Sequence, residues 1–268
     1  MKLYFCIIFV SFLFPQFGDW FTKSSETIYK EVSPSIVKIE TYDQYDKGLG
    51  SGSGVIMSKD GMIITNAHVI KKAHSIRVET SNGKQYFVKY IWTLNWDIDY
   101  AIIKIDAQNL PTVSIGESKF SELNIAQKIY TIGNPHGLSN TITDGLISNK
   151  VIHTKHKYDM IQLSAAITHG SSGGALIDEY GKVIGITTSG YDTGNIGFAI
   201  PMHEIKYNKK YYVYTMKQFA TKYGIKYSQR TRTSSSQRTS SSNSDWEDIG
   251  LKGWLFIAWI VWGLLPPY

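Results

Sequence analysis

Three polar residues stand in contexts suited to moving a proton: His68 in Thr65-Asn66-Ala67-His68-Val69, Asp99 in Asp97-Ile98-Asp99-Tyr100-Ala101, and Ser172 in Gly170-Ser171-Ser172-Gly173-Gly174. A serine hydroxyl is a weak nucleophile until a neutral imidazole takes its proton. That imidazole needs a carboxylate to fix its tautomer and stabilise its charged form. Glycines beside the serine let the backbone turn tightly enough to aim N–H groups at a developing oxyanion. These parts suit acyl transfer.

The serine motif by itself leaves two readings, because Gly170-x-Ser172-x-Gly174 also fits the nucleophile elbow of α/β-hydrolases. Chain order separates them. An elbow needs its acid and its histidine after the serine, and only His203 lies downstream, behind the apolar run Ile196-Gly197-Phe198-Ala199-Ile200-Pro201. The order His68, Asp99, Ser172 is the chymotrypsin-type one. Asp97 competes with Asp99, since residues two apart on a strand face the same side. Ser171 is the neighbour most easily mistaken for the nucleophile, but the double glycine follows Ser172. His169 reads as a loop residue beside the cleft. The remaining histidines (His74, His136, His153, His156) have no metal-ligand spacing and no cysteine near them, so neither metal nor cofactor is expected.

The elements that would carry these residues are mostly strands. Strand-like runs cover residues 35–41, 54–57, 62–65, 76–79, 86–91, 100–105, 128–132, 160–163, 175–177 and 183–187, punctuated by Asp60-Gly61, Asn82-Gly83 and Tyr180-Gly181. Many short strands with regular turn signals predict an all-β barrel or sandwich. Helical periodicity is best over residues 24–32 and 214–223. With 43% hydrophobic and 19% charged residues the chain is ordinary for a globular protein. Its one cysteine, Cys6, excludes an intramolecular disulfide, so packing alone must hold the fold.

Five ordered motifs then carry a family resemblance. Gly52-Ser53-Gly54-Val55-Ile56, Asp60-Gly61-Met62-Ile63-Ile64-Thr65-Asn66-Ala67-His68-Val69 and Asp99-Tyr100-Ala101-Ile102-Ile103-Lys104-Ile105 resemble the HtrA/DegP-type serine proteases. So do Ile132-Gly133-Asn134-Pro135-His136-Gly137-Leu138 and the stretch 165–176. The likeness spans roughly residues 26–206. It implies a chymotrypsin/trypsin-like pair of six-stranded β-barrels with short helices. It also implies His68 as general base, Asp99 as its orienter (the family's acid likewise leads directly into a strand), Ser172 as nucleophile, and the Gly170 and Ser172 amides as the oxyanion hole. The implied activity is serine endopeptidase, acting on unfolded or exposed segments of protein or peptide substrates. A protease-shaped binding or chaperone-like module with weak or ligand-gated activity is the alternative. Ser171 replaces a common Asn and Ala175 a common Pro; neither change removes a catalytic atom. Trypsin-type enzymes that cut after Lys or Arg resemble one another in an acid six positions before the nucleophile, where Ala166 stands here. Together with Thr187, Thr188, Ser189 and Gly190 on the next strand, Ala166 predicts a pocket for small or medium aliphatic side chains. A homo-oligomer is compatible with the resemblance, in which trimers are frequent, but no residue pattern derives one.

The ends of the chain read differently. Residues 1–25 resemble a signal peptide or N-terminal anchor, with Lys2 ahead of an apolar run and no good cleavage site, which points to export. Residues 207–248 form a basic, tyrosine-rich segment and a Ser-rich linker, expected to be a solvated tether or docking helix. Basic-aromatic interleaving also suits nucleic acid or an anionic membrane, and nucleic acid is the weaker expectation. The uncharged stretch 253–265 falls short of the roughly 20 residues a spanning helix needs, but residues 249–268, with Lys252 snorkelling and Trp246, Trp254, Trp259 and Trp262 near the interfaces, suit a thin or tilted membrane anchor. An interfacial helix or a docking peptide are the alternatives. The expected location is extracytoplasmic and membrane-associated. The stretch beyond Pro201 is too short for a linker, a PDZ domain and this apolar tail together, so control by a PDZ domain is not expected.

Overall fold

A computed structural model describes residues 22–116, 120–134, 140–191, 196–207 and 212–225. Residues 1–21 of the expected signal segment, with Cys6, residues 135–138 of the fourth motif, the Ser-rich linker and the apolar tail at 249–268 lie outside them.

Thirteen strands and two helices are described. The first barrel contains β1 (Ile36–Tyr42), β2 (Gly48–Ile56), β3 (Met62–Thr65), β4 (Ser75–Glu79), β5 (Gln85–Asn95) and β6 (Tyr100–Ile105). They run antiparallel in the order β5-β4-β1-β2-β3-β6, and a β5–β6 pairing closes the ring. The second contains β7 (Lys128–Gly133), β8 (Thr141–Ile152), β9 (Asp159–Leu163), β10 (Ala175–Asp178), β11 (Val183–Tyr191) and β12 (Ile196–Pro201), closed in the order β10-β11-β12-β9-β8-β7. This is the double barrel that the resemblance implies.

Isoleucine runs make both barrels and the seam between them. Side chains alternate across a strand, so Ile63 and Ile103 enter the first barrel's core while their neighbours Ile64 and Ile102 face the second barrel. Buried on both faces, β3 and β6 read as continuous apolar runs and not as alternation. Ile129, Ile147, Ile161, Leu163 and Leu176 fill the second barrel. Ile132, Ile177, Ile186 and Ile200 meet Ile36, Val55 and Ile64 in the seam. Helix α1 (Ser25–Val32) closes one end of that seam with Ile28 and Val32. Ser24 caps it, its hydroxyl accepting the Thr27 N–H at 3.2 Å.

The packed unit reaches beyond the expected limit at residue 206. β13 (Tyr214–Thr215) pairs with β5, and α2 (Met216–Tyr223) comes next, with Phe219 wholly buried in the first barrel's core. Thr215 and Gln218 form a capping box at the start of α2. The expected helix over 214–223 therefore begins two residues late, because Tyr214 and Thr215 satisfy their backbone on β5.

Strand β8 escaped sequence reading. Its sequence carries Asp144-Gly145 and Ser148-Asn149, which look like turns, and most of its side chains are exposed. Gly145 is there for a different reason: a Cβ would lie 2.5 Å from the Ala165 backbone nitrogen, so only glycine allows that crossing.

Candidate active site

The seam between the barrels collects His68, Asp99 and Ser172. His68 opens a short 3-10 turn directly after β3, Asp99 immediately precedes β6, and Ser172 sits in the loop from β9 to β10. Register brings the first two together: β3 and β6 are adjacent, with Thr65 opposite Ala101.

Asp99 grips His68 at two points. One carboxylate oxygen accepts the His68 backbone N–H at 2.9 Å, and the other lies 2.7 Å from Nδ1. A carboxylate at that distance is an acceptor only, so Nδ1 carries the proton and Nε2 is left with its lone pair facing outward. The Asp99 carbonyl also accepts Asn66 Nδ2 at 3.0 Å and the Ala67 N–H at 3.3 Å. This clamp holds Asp99 at φ +65°, a left-handed conformation that aspartate tolerates better than most residues. Asp97, by contrast, points outward and faces His156 Nδ1 at 3.3 Å. The carboxylate in contact with His68 is Asp99's.

Burial and charge act oppositely on the imidazole. Desolvation pushes the His68 pKa down, but the charge of Asp99 and its hydrogen bond outweigh that, and the value stands above the ordinary 6.5. The side chain is 37% exposed on its open edge.

Ser172 is turned away from the imidazole. Its Oγ donates to the Thr188 carbonyl at 2.7 Å, and it makes no hydrogen bond with His68. Thr188 ties the two halves together, since its own hydroxyl donates to the same Asp99 oxygen that faces Nδ1, at 2.8 Å. Sequence reasoning placed Thr188 on the wall of a specificity pocket and missed this contact; nothing local to Thr188 signals it. Thr187, placed on the same wall, is buried, with its hydroxyl on the Ser171 carbonyl at 2.7 Å.

The loop before the serine is a tight turn. Ser171 N–H donates to the Thr168 carbonyl at 3.0 Å, and Gly170, third in that turn, has φ +93°. A positive φ at the third position defines a type II turn and favours glycine. Among the described residues, neither the Gly170 N–H nor the Ser172 N–H has an acceptor within the protein. His169 is exposed on this turn.

Ala166, expected to leave the pocket without an acid, is exposed. Its neighbour Ile167 is half-buried and, like the core residue Leu163, packs so closely on Gly197 that a Cβ there would meet them at 2.6 and 3.2 Å.

One group among the described residues has metal-ligand chemistry: Asp159, His203 and Glu204. His203 Nε2 already engages Asp159 at 2.9 Å and lies 3.6 Å from Glu204, so the histidine is satisfied as an ion-pair partner. It lies downstream of Ser172 and contacts neither Ser172 nor Asp99.

Comparison with known proteins agrees with this architecture. The sequence profile of the trypsin-like peptidase domain family matches residues 52–186. Serine protease HTRA1A of Danio rerio is 37% identical over 191 residues, 67% of this chain and 39% of the relative. The putative serine protease HhoB of Synechocystis is 39% identical over 160 residues, 57% of this chain and 38% of the relative. The chain thus spans about two fifths of the length of the curated relatives it matches. Among solved structures, the serine endoprotease from Yersinia pestis superposes with a TM-score of 0.60 at 34% identity, covering 69% of this chain and 64% of that one. The HtrA-type protease AlgW with tripeptide gives 0.62 at 33% identity, covering 68% of this chain and 61% of that one.

Proposed function

The chain belongs to the trypsin-like peptidase family, on its HtrA branch, and from that premise we propose that it is a serine endopeptidase in which His68, Asp99 and Ser172 form the catalytic triad. The observation that carries the proposal is the two-point grip of Asp99 on His68, with Thr188 joining that carboxylate to the serine. Ser172 Oγ leaves the Thr188 carbonyl by a rotation about χ1 and turns to His68 Nε2. The imidazole takes its proton as the oxygen attacks the scissile carbonyl. The Gly170 and Ser172 N–H groups, unengaged at rest, receive the oxyanion. His68 returns the proton to the leaving amine, and water with His68 as base then clears the acyl-enzyme.

Substrates are exposed or unfolded protein segments. The uncharged Ala166 and the half-buried Ile167 beside it favour small or medium aliphatic residues at the cleaved position, which fails if peptides ending in Arg are cleaved fastest.

The resting position of Ser172 supports the second reading, a module whose activity is weak or gated by a ligand. Magnitude decides between them. Breaking one hydrogen bond to a carbonyl costs about 1 kcal/mol, roughly a fivefold reduction in rate. That slows an enzyme without turning it into a binder.

The decisive comparison is the full chain against Ser172→Ala, each incubated with unfolded casein and a fluorophosphonate probe. Labelling and cleavage present in the parent and lost on substitution are expected. A parent with neither overturns the enzyme reading.

The apolar ends extend the proposal: residues 1–25 export the protease unit, and residues 249–268 hold it at a membrane on the extracytoplasmic side. Among the described residues no helix is long and apolar enough to cross a membrane, so this part rests on composition alone. Ending the chain at residue 248 should release the protein from sedimented membranes washed in carbonate. Continued sedimentation would count against the anchor.

A further inference from the structure

Ser53 lies in the first barrel, on β2, yet its N–H and its hydroxyl bond to the second barrel. It is wholly buried. Its N–H donates to the Ser172 carbonyl at 2.8 Å, and its hydroxyl donates to the Gly170 carbonyl at 2.6 Å. The same hydroxyl accepts the Asn134 N–H, from the end of β7, at 2.8 Å. Its own carbonyl accepts Thr65 Oγ1 at 2.7 Å, which fixes it to the strand that leads to His68. One side chain thus fastens the turn carrying Gly170 to the frame carrying the imidazole.

We propose that Ser53 is a positioning residue for the oxyanion site, holding the Gly170–Ser172 turn at the distance from His68 that the tetrahedral intermediate requires. The inference rests on the triad reading above. The two N–H groups that would receive the oxyanion belong to Gly170 and Ser172, and Ser53 holds the carbonyls of those same two residues. Both anchors come from a strand of the other barrel, so the docking of the barrels sets where the N–H groups point. Thr187 holds the Ser171 carbonyl on the far side, but nothing else holds the Gly170 carbonyl, and the turn's closing bond, Ser171 to Thr168, is a single local one that frays once that carbonyl is released. A hydroxyl is suited to this place since it donates and accepts at once. Alanine keeps the Ser53 N–H bond to Ser172 but leaves the Gly170 carbonyl and the Asn134 N–H without it.

The test is Ser53→Ala in the full chain, with Ser53→Cys as a variant of similar volume and weaker hydrogen bonding. Displacing an oxyanion turn by a fraction of an ångström costs on the order of 10- to 100-fold in turnover. The expected result for Ser53→Ala is a kcat lower by about that factor, with KM within about threefold. The pH inflection of kcat/KM stays in place because Ser53 does not touch His68 or Asp99. Ser53→Cys falls between parent and Ser53→Ala. Exchange of the Ser171 amide, followed by NMR, is faster in Ser53→Ala, which a general loss of stability would not confine to that turn. Parental kcat in a folded Ser53→Ala, a loss carried by KM, or unchanged Ser171 exchange overturns the proposal. If Ser53→Ala does not fold, parental kcat in Ser53→Cys does the same. Should the parent cleave nothing, the triad reading has failed, and the Ser171 exchange still decides the role of Ser53.

Discussion

At the scale of single residues, the proposed triad makes the Asp99–His68 pair the group that governs the chemistry and its pH dependence. His68 must be neutral to take the serine proton, and its pKa stands above 6.5 because the Asp99 charge and hydrogen bond outweigh desolvation. Activity should therefore be complete at alkaline pH and fall away as pH drops through an inflection above 6.5. In Asp99→Asn the attraction goes and the desolvation stays, so the inflection should move down while kcat drops by roughly 10³- to 10⁴-fold through the wrong tautomer. A kcat/KM profile of the two proteins checks both outcomes together. An inflection that did not move would mean that another group sets the pH dependence. Asp97 cannot substitute, since its carboxylate is on the far side, beside His156.

At the scale of elements, the site depends on pieces of chain that carry no chemistry. β13 and α2 pack past residue 206, and Phe219 is wholly buried in the same core cluster as Ile70, Ile76, Ile91 and Ile103. Phe219→Ala should lower the unfolding free energy by about 3–5 kcal/mol, because the surrounding core collapses only partly onto the gap. Urea denaturation measures this, and a loss below about 1 kcal/mol would show that α2 is peripheral to stability. The sequence marked this segment as helical but not as core, since a single Phe among Lys217, Lys222 and several tyrosines looks like a solvated face. Burial of one aromatic is a tertiary fact. The same applies to β8, whose Gly145 is fixed by the Ala165 backbone just past the end of its partner strand β9.

At the scale of the whole molecule, the two barrels share an apolar seam in which Ile36, Ile64, Ile102, Ile132, Ile177 and Ile200 are all fully or almost fully buried. Separating the barrels would expose that surface, at about 25 cal/mol for each Å². The barrels should therefore unfold together, in one calorimetric transition whose enthalpy matches the van't Hoff value. Two resolved transitions would show that each barrel stands alone. Such coupling matters for function because His68 and Asp99 come from one barrel and Ser172 from the other.

What the sequence determined by itself was local: the residue types, their order, the double glycine after Ser172, and the isoleucine runs of β3 and β6. These depend on neighbours a few positions away, so they are legible without coordinates, and five motifs in sequence order were enough to imply the double barrel. The resemblance already named Asp99 over Asp97, and the fold puts Asp99 and not Asp97 against the imidazole; tertiary structure alone decided that Ser172 rests on the Thr188 carbonyl. It alone placed Ser53 across the barrel seam beneath the Gly170 turn. The first two are hydrogen bonds within one barrel between residues 31 and 16 positions apart, and the Ser53 bonds cross from one barrel to the other, so their geometry is set by how two closed sheets dock.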